Sequence, residues 1–338
     1  MDSTSSIITS NCSDDTKFPK IVDTPRVSVI LTLYTVDQIE YLKKCMDGLL
    51  NQTYDNIEIV LCPENKDVIS QTEEYCKSLQ TDVDILFLPL ENVEGGLSEA
   101  RNRGAKSANG DIVAFLDIDA VPVQTWAGEL VKPYVEFDLF AVGGRATPVW
   151  ETTNQRPKWI PEEFDWLIGS NHDEFGEEGD FVRNTYGCNI SFRRDVFLEL
   201  GGFDTSLGKN DGFNLQGEEP ELGIKLQREY NTAVYYQPNS LIRHYVNTKQ
   251  QKLGWLVKRA FLQGVSKKVI DTKHSQQTSL SEENDYLSFV LLTAFPRHIL
   301  NSISNQSTKH LFFSLMILIY VFCVGCGYFY ASINSKTH

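Results

Sequence analysis

Gly110-Asp-Ile-Val-Ala-Phe-Leu-Asp-Ile-Asp119 decides the fold of this chain. Its apolar run, Ile112 to Leu116, lies between Gly110-Asp111 and Pro122 and has the length and composition of a strand buried in a parallel sheet. Asp117 and Asp119 close that run. Two negative charges at a buried strand end are costly unless a cation neutralises them. The carboxyl ends of strands are also where open α/β sheets bind ligands. Oxygen donors there suit a hard divalent ion, Mg²⁺ or Mn²⁺, shared with phosphate groups. An isolated Asp-x-Asp is more often a helix cap or a solvated turn, so the surrounding sequence must decide.

Upstream, strand and helix patterns alternate. Val27 to Tyr34 is a β-rich run, and Ile39, Leu42, Met46, Leu49 and Leu50 then recur at helical spacing. Ile57 to Cys62 predicts a second strand, residues 66–79 a second helix, and Val83 to Leu88 a third strand. The loop Glu94-Gly-Gly-Leu97 leads to a helix starting near Ser98, and then to the fourth strand with its Asp pair. This order predicts an α/β fold with right-handed crossovers and a parallel, nucleotide-binding-like sheet. After residue 138 the pattern changes to shorter, mixed strands and long polar loops, as in Phe140 to Val149 and Asn189 to Phe192.

Composition excludes several function classes. With 41% hydrophobic and 22% charged residues, the 338-residue chain is that of a folded protein of one large or two ordinary domains. A net charge of −14 opposes nucleic-acid binding, which wants a basic face. The seven cysteines lie scattered through apolar segments, and the one Cys-x-x-Cys, Cys323 to Cys326, sits in a hydrophobic stretch. Zinc and disulfide frameworks are therefore not expected, and a reducing compartment fits. Residues 1–25 are polar and rich in Ser, Thr and Asp, which predicts a disordered tail rather than a signal peptide.

The carboxyl-terminal third reads differently. Between Lys249 and Lys273, Leu253, Trp255, Leu256, Phe261 and Leu262 alternate with Lys252, Lys258, Arg259, Lys267 and Lys268. Such a basic amphipathic segment suits an anionic membrane surface, or equally a core helix with a solvated basic face. Leu311 to Ala331 carries no charge. At about 1.5 Å per residue it is long enough to cross a hydrocarbon core of roughly 30 Å. Arg297, Lys309 and His310 precede it, against Lys336 and His338 after it, so the bulk of the chain is expected on the cytoplasmic side of a single span. Phe289 to Phe295 is too short to cross.

Six motifs, in order, resemble family 2 glycosyltransferases of the GT-A fold over roughly Arg26 to Val246. They are Val27 to Tyr34, Gly96-Leu-Ser-Glu-Ala-Arg-Asn102 with Gly104, Gly110 to Asp119, Tyr186-Gly-Cys-Asn-Ile-Ser-Phe-Arg-Arg194, Gly201-Gly-Phe-Asp204 and Gly217-Glu-Glu-Pro-Glu-Leu222. The resemblance implies an inverting, nucleotide-sugar-dependent transferase on a Rossmann-like mixed sheet. It implies a nucleotide-binding half, 26–120, and an acceptor half, 121–248; beyond it, residue pattern gives a membrane-surface region, 249–305, and a transmembrane helix, 311–331. The implied metal set is Asp119 and Asp117 with His244, holding Mn²⁺ or Mg²⁺. Tyr34, Glu64, Arg101 and Asp117 are implied in binding the nucleotide and diphosphate. Glu219, with Glu218 as second choice, aligns with the acidic pair that supplies a general base.

Two departures from the family pattern stand out. The acidic pair, commonly Glu-Asp, reads Glu218-Glu219. After the second strand, where the family carries Asp-Asp or Asp-Gly, this chain has Cys62-Pro-Glu-Asn65, so Glu64 is left to contact the base or nucleoside. The membrane segments suggest a lipid-borne acceptor. A polyprenyl phosphate nucleophile is already ionised and needs no base, whereas a sugar hydroxyl does, and the acidic pair favours the second. Pro157-Lys-Trp-Ile-Pro161, Arg183 to Asn189 and Gly217 to Leu222 are similar to archaeal glucosyl-dolichyl-phosphate glucuronosyltransferases of protein N-glycosylation. That similarity implies UDP-glucuronate as donor, with Arg145, Arg183 and Arg193 as candidates for pairing the sugar carboxylate. The alternatives are a polyprenyl-phosphate sugar synthase, a surface-polysaccharide transferase, or an inactive nucleotide-sugar-binding scaffold.

Overall fold

Each strand of the amino-terminal sheet separates two apolar layers. The computed structural model describes residues 18–91, 94–152, 155–207, 215–274 and 281–334. The chain begins β1 (Val27–Leu33), α1 (Ile39–Leu50), β2 (Ile57–Pro63), α2 (Lys66–Ser78), β3 (Asp84–Phe87), α3 (Gly96–Ser107) and β4 (Ile112–Phe115). β1 pairs in parallel with β2 and β4, and β2 with β3. Val27, Val29, Leu31 and Leu33 share one layer with Leu42, Met46 and Leu49 of α1. Ile30, Val60, Val113 and Phe115 face the other way, towards Ala100 and Ala105 of α3. Strands covered on both faces read as continuous apolar runs, which is why these segments are legible in sequence. Each fully buried Val, Ile, Leu or Phe contributes about 1.5–3 kcal/mol.

Beyond Asp119 the sheet becomes mixed. β5 (Ala120–Pro122), α4 (Trp126–Phe137), β6 (Ala141–Trp150), β7 (Phe181–Val182), β8 (Ile190–Arg193), α5 (Arg194–Glu199), α6 (Glu218–Tyr230) and β9 (Val234–Val246) follow. The strand order is β3-β2-β1-β4-β8-β6-β9-β5, with β7 against β9. β8 runs antiparallel to β4, and β5 antiparallel to β9. Contrary to the short strands expected here, β6 has 10 residues and β9 has 13. A register shift at Gly144/Arg145 lets these two stay paired along their length, as a bulge does when a long strand must bend.

Residues 1–17 of the expected disordered tail lie outside the described residues. Residues 18–25 correct the other part of that expectation: Phe18 is buried edge-on against Phe140 and Tyr230, and the Ile21 amide donates to Asp138. The third helix starts at Gly96 rather than Ser98.

The carboxyl-terminal region comprises α7 (Leu253–Lys273), α8 (Ser281–Phe289), a π-turn at Val290–Ala294, α9 (Phe295–Ser304) and α10 (Thr308–Asn334). Leu256 and Ala260 of α7 share a core with Met316, Ile317 and Tyr320 of α10, and with Phe164 and Leu167 of the 3₁₀ segment Glu162–Ile168. Tyr320 also donates its hydroxyl to the Trp159 carbonyl at 2.8 Å. The two long helices approach closely at glycines. A Cβ at Gly264 would meet the Val324 carbonyl and stand 2.8 Å from the Tyr328 nitrogen, and one at Gly327 would meet the Phe261 carbonyl. Among the described residues α10 is the one helix long and apolar enough to cross a membrane. Its outer face leaves Leu311, Leu315, Leu318, Phe322 and Phe329 exposed.

Gly264→Leu is therefore expected to push α10 off α7. Overpacking of this kind costs about 1–3 kcal/mol. A lowered thermal midpoint and faster proteolytic cleavage between α9 and α10, measured in detergent, check the prediction.

Candidate active site

The turn from β4 into β5 aims both aspartates into one cavity. It is closed by an Ala120 N–H to Asp117 carbonyl bond of 2.9 Å. β5 then pairs with β9 so that Ala120 lies opposite His244. This register, set 125 residues away in sequence, brings the His244 Nε2 to 3.3 Å from an Asp119 oxygen. Asp117, Asp119 and His244 each offer a donor atom, all within 4.8 Å of one another. Burial alone would depress the His244 imidazole, but the charge and hydrogen bond of Asp119, with Asp117 behind it, raise it above its ordinary value. Gly169, at φ 72°, lies against the ring: a Cβ there would stand 3.1 Å from Cε1. Two carboxylates and an imidazole form a donor set suited to Mn²⁺ or Mg²⁺.

Arg101 ties the metal-type cluster to the acidic pair. Its guanidinium is buried, donating to Asp117 at 2.7 Å, to the Gly187 carbonyl at 3.1 Å and to Glu219 at 3.4 Å. Desolvation opposes its charge, yet Asp117, Glu219 and Glu218 together raise its pKa. The next residue, Asn102, exchanges two hydrogen bonds with the Phe203 backbone, at 2.8 and 2.9 Å, and Phe203 lies under the Arg101 guanidinium. The Ala-Arg-Asn and Gly-Gly-Phe-Asp motifs thus interlock to hold one arginine. Gly187 completes the cradle by close approach. A Cβ there would overlap a Glu219 oxygen and stand 2.6 Å from the Arg101 Nη1.

The two glutamates at the start of α6 differ in their partners. Glu218 is buried and accepts from the Gly217 amide at 3.0 Å, so it is spent on its own helix terminus. Glu219 faces the cavity, partly buried. Burial and the neighbouring Glu218 push its carboxyl up to about 8, against the pull of Arg101. A carboxylate so placed is a far better proton acceptor than one in water.

Tyr34, Glu64, Arg101, Asp117, Asp119, Glu218, Glu219 and His244, all singled out from sequence, line one cavity of about 1700 Å³. Tyr34 is exposed at its rim, beside Glu64 and the β1–β2 strand ends. The candidates for a sugar carboxylate fare unequally. Arg183 lines the cavity and makes a bidentate pair with Glu283, at 2.8 Å to each oxygen. Arg145 is held by Asp173 and lies outside the cavity lining. Arg193 is a correction: β8 pairs it with Ile112, at the opposite end of β4 from the aspartates, where it braces Asp138, Asp195 and the Pro19 carbonyl. Antiparallel pairing of β8 with β4 sends its last residue away from the site.

The sequence model of Glycosyl transferase family 2 matches residues 28–201. A glucosyl-dolichyl phosphate glucuronosyltransferase of Haloferax volcanii is 33% identical over 309 residues, 90% of this chain and 96% of its own. The chain belongs to glycosyl transferase family 2. The uncharacterised glycosyltransferase EpsJ of Bacillus subtilis is 26% identical over 64% of this glycosyltransferase and 63% of its own length. Among solved structures, the mannosyltransferase PcManGT of Pyrobaculum calidifontis, in complex with GDP-Man and Mn²⁺, superposes with a TM-score of 0.58 at 15% identity, over 93% of this chain and 91% of that one. That likeness shows a shared GT-A fold.

Lys258, Arg259 and Lys267, expected from sequence either on a membrane surface or on the solvated face of a core helix, all line the cavity of the glycosyltransferase. The signal available was spacing: Arg259, Gln263 and Lys267 recur every four residues and share one helix face. Gly187→Ala is expected to displace Glu219 or Arg101 and lower kcat/KM by about 10²-fold, as misplacing a catalytic group by an ångström does. Sugar-transfer kinetics beside an unchanged far-ultraviolet dichroism spectrum check it.

Proposed function

We propose that this glycosyltransferase moves glucuronate from UDP-glucuronate onto the glucose of a dolichyl-phosphate-linked saccharide, as a membrane-bound step of protein N-glycosylation. The observation carrying this reading is the match to the Haloferax enzyme along 96% of that protein's length. The partly buried Glu219 beside Arg101 supports it, because a hydroxyl acceptor needs a base. The apolar α10 supports a lipid-borne acceptor and a single span with the catalytic residues on the cytoplasmic side.

Tyr34 and Glu64 contact the nucleoside at the ends of β1 and β2. Asp119, Asp117 and His244 would hold a divalent ion, which would supply positive charge to stabilise the departing diphosphate. Arg101 positions Asp117 and Glu219 relative to one another. Glu219 takes the proton of the acceptor hydroxyl while the oxygen bonds to the anomeric carbon from the opposite side. The anomeric C–O bond to phosphate breaks and its electron pair leaves with UDP, giving inversion. Glu218, committed to the Gly217 amide, keeps α6 in place.

Labelled UDP-glucuronate offered with glucosyl phytanyl phosphate tests the reading. Glucuronosyl lipid is the expected product. Labelling of bare phytanyl phosphate, or equal turnover of UDP-glucose, would overturn it. Glu219→Gln is expected to lower kcat by about 10²–10⁴-fold. In the wild type, protonation of Glu219 silences the base, so kcat/KM should fall as pH drops below about 8, and this acid limb should vanish in Glu219→Gln.

The ion prediction is separate. Chelation with EDTA should abolish transfer, and Mn²⁺ should restore it. Calorimetric titration should show Mn²⁺ affinity reduced about 10-fold or more in Asp119→Asn and His244→Ala, as loss of a ligand demands, and unchanged in Tyr34→Phe.

A further inference from the structure

Past Glu219 the cavity wall passes from α6 to α7 and then to α10, and its chemistry changes on the way. Arg259 stands first. Its Nε donates to the Leu167 carbonyl at 3.3 Å and its guanidinium stacks on Trp255. Asp117, Glu218 and Glu219 are near enough to attract it, but desolvation outweighs them and pulls its pKa down to about 10. The other cations of this wall are matched differently. Arg101 bridges Asp117 and Glu219, while Arg183 and Lys267 both pair with Glu283. Among the described residues Arg259 has no carboxylate within ion-pair distance, so its charge is left for something that enters the cavity.

The neighbouring wall is apolar. Ala260, next to Arg259, is buried, and Gly264 one turn on carries α10 at backbone contact. Close approach there brings Val321, Val324 and Gly325 of α10 into the lining of the same cavity. One space therefore holds a proton acceptor, a guanidinium outside any ion pair among the described residues, and an apolar surface.

A lipid-linked sugar has three parts in the same order: a hydroxyl-bearing ring, a phosphodiester anion and an isoprenoid chain. We propose that Arg259 is a specificity-determining residue that binds the acceptor's phosphodiester, holding the sugar hydroxyl at Glu219 while the isoprenoid chain lies along Val321 and Val324 of α10. A guanidinium suits this task because its fork matches two phosphate oxygens. The exposed Lys258, in the same turn, adds a second positive charge at the rim. This assignment rests on the lipid-phosphate acceptor proposed above. It also gives α7 and α10 a part in the reaction beyond anchoring.

The test uses the full chain in detergent, with UDP-glucuronate as donor and two acceptors, glucosyl phytanyl phosphate and the neutral octyl glucoside. Wild type should favour the phosphodiester. Arg259→Gln, whose amide can still meet the Leu167 carbonyl, and Arg259→Met should each raise KM for the phosphodiester acceptor about tenfold or more, the loss expected when a charge-assisted bond is removed. KM for UDP-glucuronate should stay put, and Arg259→Lys should recover part of the loss. Turnover of octyl glucoside by the same preparations reports an intact fold. A raised KM for UDP-glucuronate instead would give Arg259 to the donor's carboxylate and overturn the assignment. So would an undiminished phosphodiester preference in Arg259→Met. If wild type uses both acceptors equally, the assignment fails while hydroxyl transfer stands; if it uses neither, the acceptor reading falls and the assignment with it.

Discussion

A buried guanidinium bridging two carboxylates is the constraint on which this site depends. Arg101 reaches Asp117 at the end of β4 and Glu219 at the start of α6, elements that share no backbone pairing. Asp117, Asp119, Glu218 and Glu219 are among the acidic side chains that line the same cavity. Without a cation between them their repulsion would spread the strand end from the helix. Removing one member of a buried ion pair leaves the other uncompensated, at a cost of about 3–5 kcal/mol. The surrounding motifs make sense as fastenings for this one residue: Asn102 clamps the Phe203 loop, Phe203 lies under the guanidinium, and Gly187 gives the space.

Placement of the remaining charges follows from what Arg101 leaves unsettled. It faces Asp117 and Glu219 but not Asp119, which is left to His244. The aspartate–histidine side therefore stays open to a hard cation, and the glutamate side is held partly dry. Drying is what turns an ordinary carboxylate into a base matched to near-neutral pH. The same cavity thus offers two neighbouring environments joined through Arg101, a cluster of cation-type donors and a partly buried carboxyl that favours a proton.

The carboxyl-terminal helices are part of this arrangement. α7 is fastened to the loop before α6, where Gln263 donates to Gln216 and the Gln216 amide donates to Ser266. Its other side carries α10 through Gly264 and Gly327. An apolar helix that would otherwise need only a membrane is thereby locked to the element bearing Glu219. The same contacts set Val321, Val324 and Gly325 of α10 in the lining of the cavity.

The strands β1 to β4, the helices between them and the Asp pair were legible in the sequence because they depend on local pattern. Buried parallel strands must be apolar throughout, amphipathic helices must repeat near 3.6, and charges at a strand end are conspicuous. The glutamate pair and the glycine motifs were legible only through the resemblance to family 2 glycosyltransferases, because an acidic pair in so acidic a chain otherwise reads as solvated surface. Tertiary structure alone decided which of these residues meet. His244 reaches Asp119 through the antiparallel pairing of β5 with β9, Arg193 is carried to the far end of β4 by the direction of β8, and Arg259 turns inward because α7 is docked on two sides. Those outcomes rest on pairings between segments distant in sequence, whose register no local periodicity records.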